Sequence, residues 1–271
     1  MVDTIDSWNG PVKDELWWAP HVQDFRQLST FTDPVLAINK RTPDDGPLIE
    51  TAIAYRAMCV NVPRYLLYLQ DKGKALGVTV VKAKLQTDAG LERSLKAVDS
   101  RIGGLRVDCF VNATGLGAAK LCKDEAMYPI RGQTVLVKGE AHVTQTRVGD
   151  GYSAYCIPRP GSGSTILGGT KQVGNWQEAV DPATTRLILE RCSYIIPELM
   201  TGADGGFEVI SVQCGLRPGR EGGPRMEKET VGGDKVVHAY GHAGGGYQNS
   251  IGSARLVVKL VKESLRMDAK L

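Results

Sequence analysis

The sequence predicts a mixed α/β protein in which a layer of strands and helices adjoins a second layer of antiparallel strands. Two patterns carry that expectation. A short apolar run, a glycine turn and then an Ala/Leu or amphipathic segment occur in that order twice, at residues 107–119 and again at 236–264. Between them, the runs at 135–137, 154–157 and 165–167 alternate with Gly, Ser and Pro turns, as strands of an antiparallel layer do. A chain of 271 residues can bury a substantial core and accommodates two domains or one large α/β unit.

Along the chain, residues 1–57 carry Pro11, Pro20, Pro34, Pro43 and Pro47, which limit any long helix, so an irregular surface layer is expected there. Over 63–76, Tyr65, Leu66, Leu69 and Leu76 recur at roughly helical spacing behind Pro63, a good first-turn residue, and Gly77 ends the segment. The apolar run at 78–81 reads as a strand, and 107–112 as a second, buried one leading into Ala113, Thr114 and Gly115. The turn Gly115-Leu116-Gly117 then allows close approach of a nucleotide to a sheet, although it is shorter than a full Gly-x-Gly-x-x-Gly. Leu187, Ile188, Leu189 and Ile195 mark a helix over 182–196. Residues 236–240 form a strand entering the glycine cluster at 241–246, and 253–264 an amphipathic helix.

Lys and Arg total 33 against 30 Asp and Glu, a formal charge of +3, with no block of like charge that would line a nucleic-acid groove. A small-molecule partner is expected, with neither nucleic acid nor membrane. No run of about 18 apolar residues occurs and the first ten residues lack a secretory pattern, so a soluble, intracellular protein is expected. The six cysteines are scattered without a C-x-x-C and read as reduced thiols. His238 and His242 stand four apart, but among glycines instead of on a helix, so they read as structural and no metal is expected. The final Ala269-Lys270-Leu271 is a variant of the Ser-Lys-Leu tripeptide recognised by the peroxisomal import receptor, which makes that receptor a partner and the peroxisome the expected compartment.

Five segments, in order within residues 14–264, together resemble the D-amino acid oxidase family. They are Val-Asn-Ala-Thr-Gly-Leu-Gly at 111–117, Pro-Ile-Arg-Gly-Gln at 129–133, Tyr-Cys-Ile-Pro-Arg at 155–159 with Gly-Gly-Thr at 168–170, Gly-Leu-Arg-Pro at 215–218, and His-Ala-Tyr-Gly-His at 238–242. The resemblance implies a partial Rossmann-like FAD-binding domain, residues 58–125 and 220–271, with an antiparallel-sheet substrate domain, residues 1–57 and 126–219. It implies FAD as cofactor, a D-amino acid and oxygen as reactants, and a 2-oxo acid, ammonia and hydrogen peroxide as products. A homodimer is among the assemblies it allows.

Residue by residue, the resemblance places the substrate carboxylate at Arg217, whose guanidinium fork suits bidentate pairing, and at the Tyr155 hydroxyl. Without the flanking motifs, Arg217 reads equally as a strand-end salt bridge and Tyr155 as a core aromatic. Lys171 follows Gly-Gly-Thr, where the related D-aspartate oxidases resemble one another in carrying an arginine toward the substrate side chain. A lysine there raises acidic D-amino acids as an alternative substrate class if it points inward, and does nothing of the kind if it snorkels outward. On the flavin side the resemblance implies Thr114 and Gly115 against the dinucleotide, and Gly241, Ala243, Gly244, Gly245, Gly246, Tyr247 and Gln248 at the isoalloxazine ring. Arg159, Arg220 and Arg225 read as structural. Family members open with a strand, a Gly-x-Gly-x-x-Gly turn and a helix that hold the pyrophosphate. Nothing before Val107 has that shape. An N-terminally truncated chain, holding FAD weakly or acting as a non-catalytic fragment, is therefore a further alternative.

Overall fold

The computed structural model describes residues 1–12, 15–29 and 49–268. The chain divides into two compact units, the first comprising residues 1–80, 132–170 and 179–214, the second 81–131, 171–178 and 215–271. The sequence-drawn boundaries differ in placing 58–80 with the cofactor side and 126–131, 171–178 and 215–219 with the substrate side. Two 12-residue strands, β5 (Met127–Lys138) and β10 (Val209–Arg220), each run from one unit into the other, so no composition break marks the border.

The first unit is built on a large sheet in the order β10-β5-β8-β7-β6-β1-β3-β2. Its members include β1 (Val2–Trp8), β2 (Gln23–Leu28), β3 (Thr51–Ala57), β6 (Val143–Gly149), β7 (Tyr152–Arg159) and β8 (Ser164–Gly168). The runs at 135–137, 154–157 and 165–167 are adjacent antiparallel strands, as their alternation predicted. The described part of residues 1–57, expected to be irregular, instead supplies strands β1, β2 and β3. Ile5, Leu28, Ala52 and Ala54 bury a second small core there, since every proline falls outside β1, β2 and β3 and leaves those runs free to pair.

Helix α1 (Val62–Ala75) forms behind Pro63 as expected. The run at 78–81, however, is not a strand, and Val78, Val80 and Val81 are exposed. Apolar β-branched residues need a ladder partner to become a strand, and none of the described strands pairs with them.

Helix α4 (Pro182–Ser193) starts where Asp181 accepts hydrogen bonds from the Ala183 and Thr184 amides at 3.3 and 2.9 Å, with Pro182 pre-set for the first turn. Its Ile188 and Cys192, with Ile195, Ile196 and Leu199 just beyond, pack on Val135, Val137, Ala154, Cys156 and Leu167 of the sheet. At about 1.5–3 kcal/mol for each fully buried large side chain, this face holds the first unit together.

The second unit has a three-stranded sheet in the order β11-β12-β4, with β4 (Phe110–Asn112), β11 (Arg225–Val231) and β12 (Asp234–Tyr240). Strand β12 is central, parallel to β4 and antiparallel to β11. Helices α2 (Leu91–Arg101) and α3 (Ala118–Leu121) follow the chain, a two-residue β9 (Gln172–Val173) pairs with β5, and α5 (Ser250–Asp268) packs on β11 and β12. All six cysteines are free thiols, and burial raises Cys156 and Cys192 to about 12.

Candidate functional site

In the second unit, the end of β10 carries Gly-Leu-Arg-Pro at 215–218, and this stretch is brought against both glycine turns. Gly115, at φ 57°, lies so that a side-chain carbon there would sit 3.8 Å from the Pro218 ring. A carbon on Gly244 would sit 4.0 Å from Arg217 Cδ, and Gly219 forms a β-bridge with His242. Arg217 is partly buried, and its aliphatic stem lies alongside the turn at 243–245. Around that turn Gly244 and Gly246 are exposed, and a side-chain carbon on Gly246 would meet nothing within 4 Å. Ala243 takes φ 49°, a left-handed conformation that few residues other than glycine adopt. Tyr247 and Gln248 are exposed, and Lys171, also in this unit, is exposed.

A buried polar network fixes the turn at Thr114. Asn112 uses its whole amide: Oδ1 accepts from Thr114 N at 3.2 Å and Thr114 Oγ1 at 2.8 Å, while Nδ2 faces His238 Nδ1 and Cys122 Sγ, each at 3.1 Å. Since the amide donates to Nδ1, the His238 proton sits on Nε2, which faces Glu229 Oε2 at 2.9 Å. Burial lowers the His238 pKa, and the Glu229 carboxylate only partly offsets it.

The chain of contacts continues from Glu229 to Arg225 Nη2 at 3.0 Å, from Arg225 Nη1 to the Tyr240 hydroxyl at 3.1 Å, and from that hydroxyl to Asp124 at 2.9 Å. Asp124 also pairs with Arg220 at 2.9 Å. Burial works to raise the Asp124 pKa, but the Arg220 and Tyr240 hydrogen bonds outweigh it and hold the carboxyl below its ordinary range. His238, Arg220 and Arg225 thus all have partners within the unit. His242 Nε2 faces Ser253 Oγ at 3.0 Å.

In the first unit, Tyr155 on β7 is the register partner of Gly168 on β8. Its ring lies over Gly168 and Gly169, and side-chain carbons on either glycine would overlap it. These two positions must be glycine for the ring to lie flat there. On the opposite face, Cys192 Sγ of α4 points to the Tyr155 and Gly168 carbonyl oxygens at 3.5 and 3.4 Å, which ties the helix to the strand pair that carries the ring. Tyr155 is also the register partner of Thr146 on β6, and Thr146 of Asp6 on β1. Asp6 accepts the Tyr55 hydroxyl at 2.8 Å and a hydrogen bond from the Thr146 side chain.

The structure thus gathers Arg217, Thr114, Gly115 and the 241–246 turn in one unit and seats Tyr155 in the other, while Lys171 stands at the surface. Sequence reasoning missed the Asp6–Thr146 row and the roles of Asn112, Asp124 and Tyr240. The alternation in Thr51-Ala-Ile-Ala-Tyr55 could have revealed the strand facing Asp6. Nothing local could have revealed Asn112 against His238, which lie 126 residues apart.

The family model described as FAD dependent oxidoreductase matches residues 22–260. A D-amino-acid oxidase from Schizosaccharomyces pombe is 37% identical over 93% of this chain and 72% of its own length. One from Fusarium vanettenii is 36% identical over 91% of this chain and 66% of its own. A D-aspartate oxidase from Talaromyces thermophilus is 36% identical over 76% and 53%. The chain spans about two thirds of the length of the D-amino-acid oxidases it matches. Among solved structures, glycine oxidase from Geobacillus kaustophilus superposes with a TM-score of 0.66 at 18% identity, over 97% of this chain and 71% of that one, which shows the shared fold. The chain belongs to the FAD dependent oxidoreductase family, with D-amino-acid oxidases among its relatives.

Proposed function

We propose that the protein is a D-amino acid oxidase, converting a D-amino acid, oxygen and water into a 2-oxo acid, ammonia and hydrogen peroxide. The observation that carries this reading is Arg217 against the turn at 243–246, a cation beside backbone that Gly244 and Gly246 leave exposed. That turn fits a flat flavin ring, since Gly244 and Gly246 leave room for close approach. Thr114 and Gly115, held by Asn112, and Gly241, Ala243, Gly244, Gly245, Gly246, Tyr247 and Gln248 would hold FAD. When bound, FAD would supply the two-electron oxidant for the substrate α-carbon.

The chain's own residues would mainly bind and orient. Arg217 would take the substrate carboxylate through its fork, a charge-assisted pairing that fixes direction as well as position. Tyr155 would offer a phenolic hydroxyl to an amino-acid ligand from a ring immobilised by Gly168 and Gly169. Lys171 is exposed and so lends the acidic-substrate alternative no support, which leaves it resting on likeness to the Talaromyces thermophilus D-aspartate oxidase. Peroxisomal import is proposed on Ala269-Lys270-Leu271 alone, which lies outside the described residues.

The test is turnover with FAD added. The reading expects peroxide and ammonia in equal amounts from D-alanine and none from L-alanine. D-aspartate preferred over D-alanine would favour the acidic alternative, and no peroxide from any D-amino acid would contradict the oxidase.

A further inference from the structure

We infer that His238 is a positioning residue for the cofactor side: only while neutral does it hold the Asn112 amide in the orientation that ties down Thr114, so the hold on FAD weakens in acid. The inference rests on the reading of Thr114 and Gly115 as FAD-binding positions, and all of its geometry lies within the second unit.

Strand register sets the row. Asn112 on β4 and Glu227 on β11 are the partners of His238 on β12, one on each side, so the three side chains share one face of the sheet. Asn112 and His238 are both buried, which denies them water as a substitute partner. The Thr114 backbone N–H can only donate, so the Asn112 atom that meets it at 3.2 Å is the carbonyl oxygen, and Nδ2 is left facing His238 Nδ1 at 3.1 Å. That N–H needs an acceptor, and Nδ1 is one only while it carries no proton. A proton on Nδ1 sets donor against donor. Turning the amide over to relieve this would set its NH2 against the Thr114 N–H and release Thr114, whose carbonyl accepts the Gly117 amide that closes the turn at 3.1 Å.

The groups facing His238 decide where this happens. From β11, Glu229 Oε2 lies 2.9 Å from Nε2, but Glu229 is shared with Arg225 Nη2 at 3.0 Å, and Arg225 also pairs with Glu227 at 2.6 Å. On β12 itself the Tyr240 ring stands edge-on at 5.7 Å. Beyond Asn112, the Cys122 thiol keeps its proton, since burial raises it. Helix α5, packed on β11 and β12, carries Glu263, which is tied to Lys228 at 3.1 Å. Burial of the ring outweighs the Glu229 carboxylate and lowers the His238 pKa from 6.5, so the ring is neutral at neutral pH and takes up a proton only in acid.

The experiment measures FAD affinity by quenching of flavin fluorescence between about pH 4.5 and pH 8. It compares the wild-type chain with His238→Asn, whose Oδ1 can stand where Nδ1 does and takes no proton, and with His238→Gln, which keeps a donor toward Glu229 but withdraws that acceptor. The wild type should bind about tenfold more weakly at the acid end, the size of a buried hydrogen-bond partner lost. His238→Asn should hold the affinity of pH 8 further into acid, and His238→Gln should bind at pH 8 about as weakly as the wild type does in acid. A merely structural role would make the two variants alike. Affinity that is flat with pH in the wild type, or that falls equally in His238→Asn, would overturn the inference, and bleaching of the bound flavin by D-alanine would leave the oxidase reading standing. Should both variants fail to fold, the nitrogen chemical shifts of the His238 ring in the wild type decide: a proton on Nε2 at pH 8 supports the inference and one on Nδ1 overturns it. A wild-type chain that binds no FAD at any pH would overturn both.

Discussion

The two units are held by different physics. In the first, α4 lays Ile188 and Cys192 on a sheet face of Val135, Val137, Ala154, Cys156 and Leu167, and the residues around Tyr155 rest on that apolar support. In the second, the apolar cluster is small, built on Ala118, Met127 and Tyr240, and a polar chain, buried at Asn112, His238 and Tyr240 and exposed at Glu229, runs from Thr114 through Asn112, His238, Glu229, Arg225 and Tyr240 to Asp124 and Arg220. An apolar core tolerates adjustment of volume, whereas a polar network demands every partner, because a donor or acceptor left alone in a buried place is costly. The unit that would hold the flavin is therefore the one specified by hydrogen-bond geometry. The unit that carries Tyr155 is specified by packing.

One test of that contrast is Asp124→Ala, which strips Arg220 and the Tyr240 hydroxyl of their shared acceptor. Because Arg220 keeps a quarter of its side chain exposed, the loss should lie near the low end for a broken buried pair, about 3 kcal/mol. Hydrogen exchange should show it concentrated in β11 and β12. A loss spread evenly over both units would break the contrast.

Leu167→Ala, at a fully buried position of the first unit, should cost about 2–5 kcal/mol through the cavity it leaves, read as a shift in the denaturant midpoint. Here exchange should rise in β7, β8 and α4 and leave β12 protected. Gly168→Ala comes next. The added carbon overlaps the Tyr155 ring, and repacking should cost about 1–3 kcal/mol. The displaced phenol should also raise KM for D-alanine.

The smallest effect is on pH. His238 has a lowered pKa in the folded chain, so the unfolded chain binds the proton more tightly, and stability is lost as pH falls below about 6.5. Asp6 in the first unit has a raised pKa, so the folded chain keeps its proton longer, and stability is lost as pH rises from 3.8 through the raised value. Stability curves of His238→Gln and Asp6→Asn should therefore flatten in these two windows respectively. The same window for both would remove the distinction.

What the sequence showed and what it hid follow the same division. Strands β5, β7, β8 and β12 and helices α4 and α5 were legible because each carries its own period and ends at Gly, Pro or a capping Asp181. Strands β1 to β3 were hidden by the nearby prolines, and 78–81 misled because an apolar run shows no sign of whether a partner strand exists. Of the candidate site positions, Arg217 and the glycine turn were marked by local motifs, and the structure brings them together within one unit. The pairing of Asp6 with Thr146 was hidden, since it depends on the parallel register of β1 with β6, 140 positions along. Asp124 and Tyr240 were hidden for the same reason, lying 116 residues apart.

The most direct measurement is the visible spectrum of the purified chain with FAD, recorded without oxygen as D-alanine is added. The oxidase account predicts protein-bound flavin bands that bleach with D-alanine, persist with L-alanine and return when oxygen is admitted. Flavin that binds and stays unbleached by every D-amino acid would contradict it.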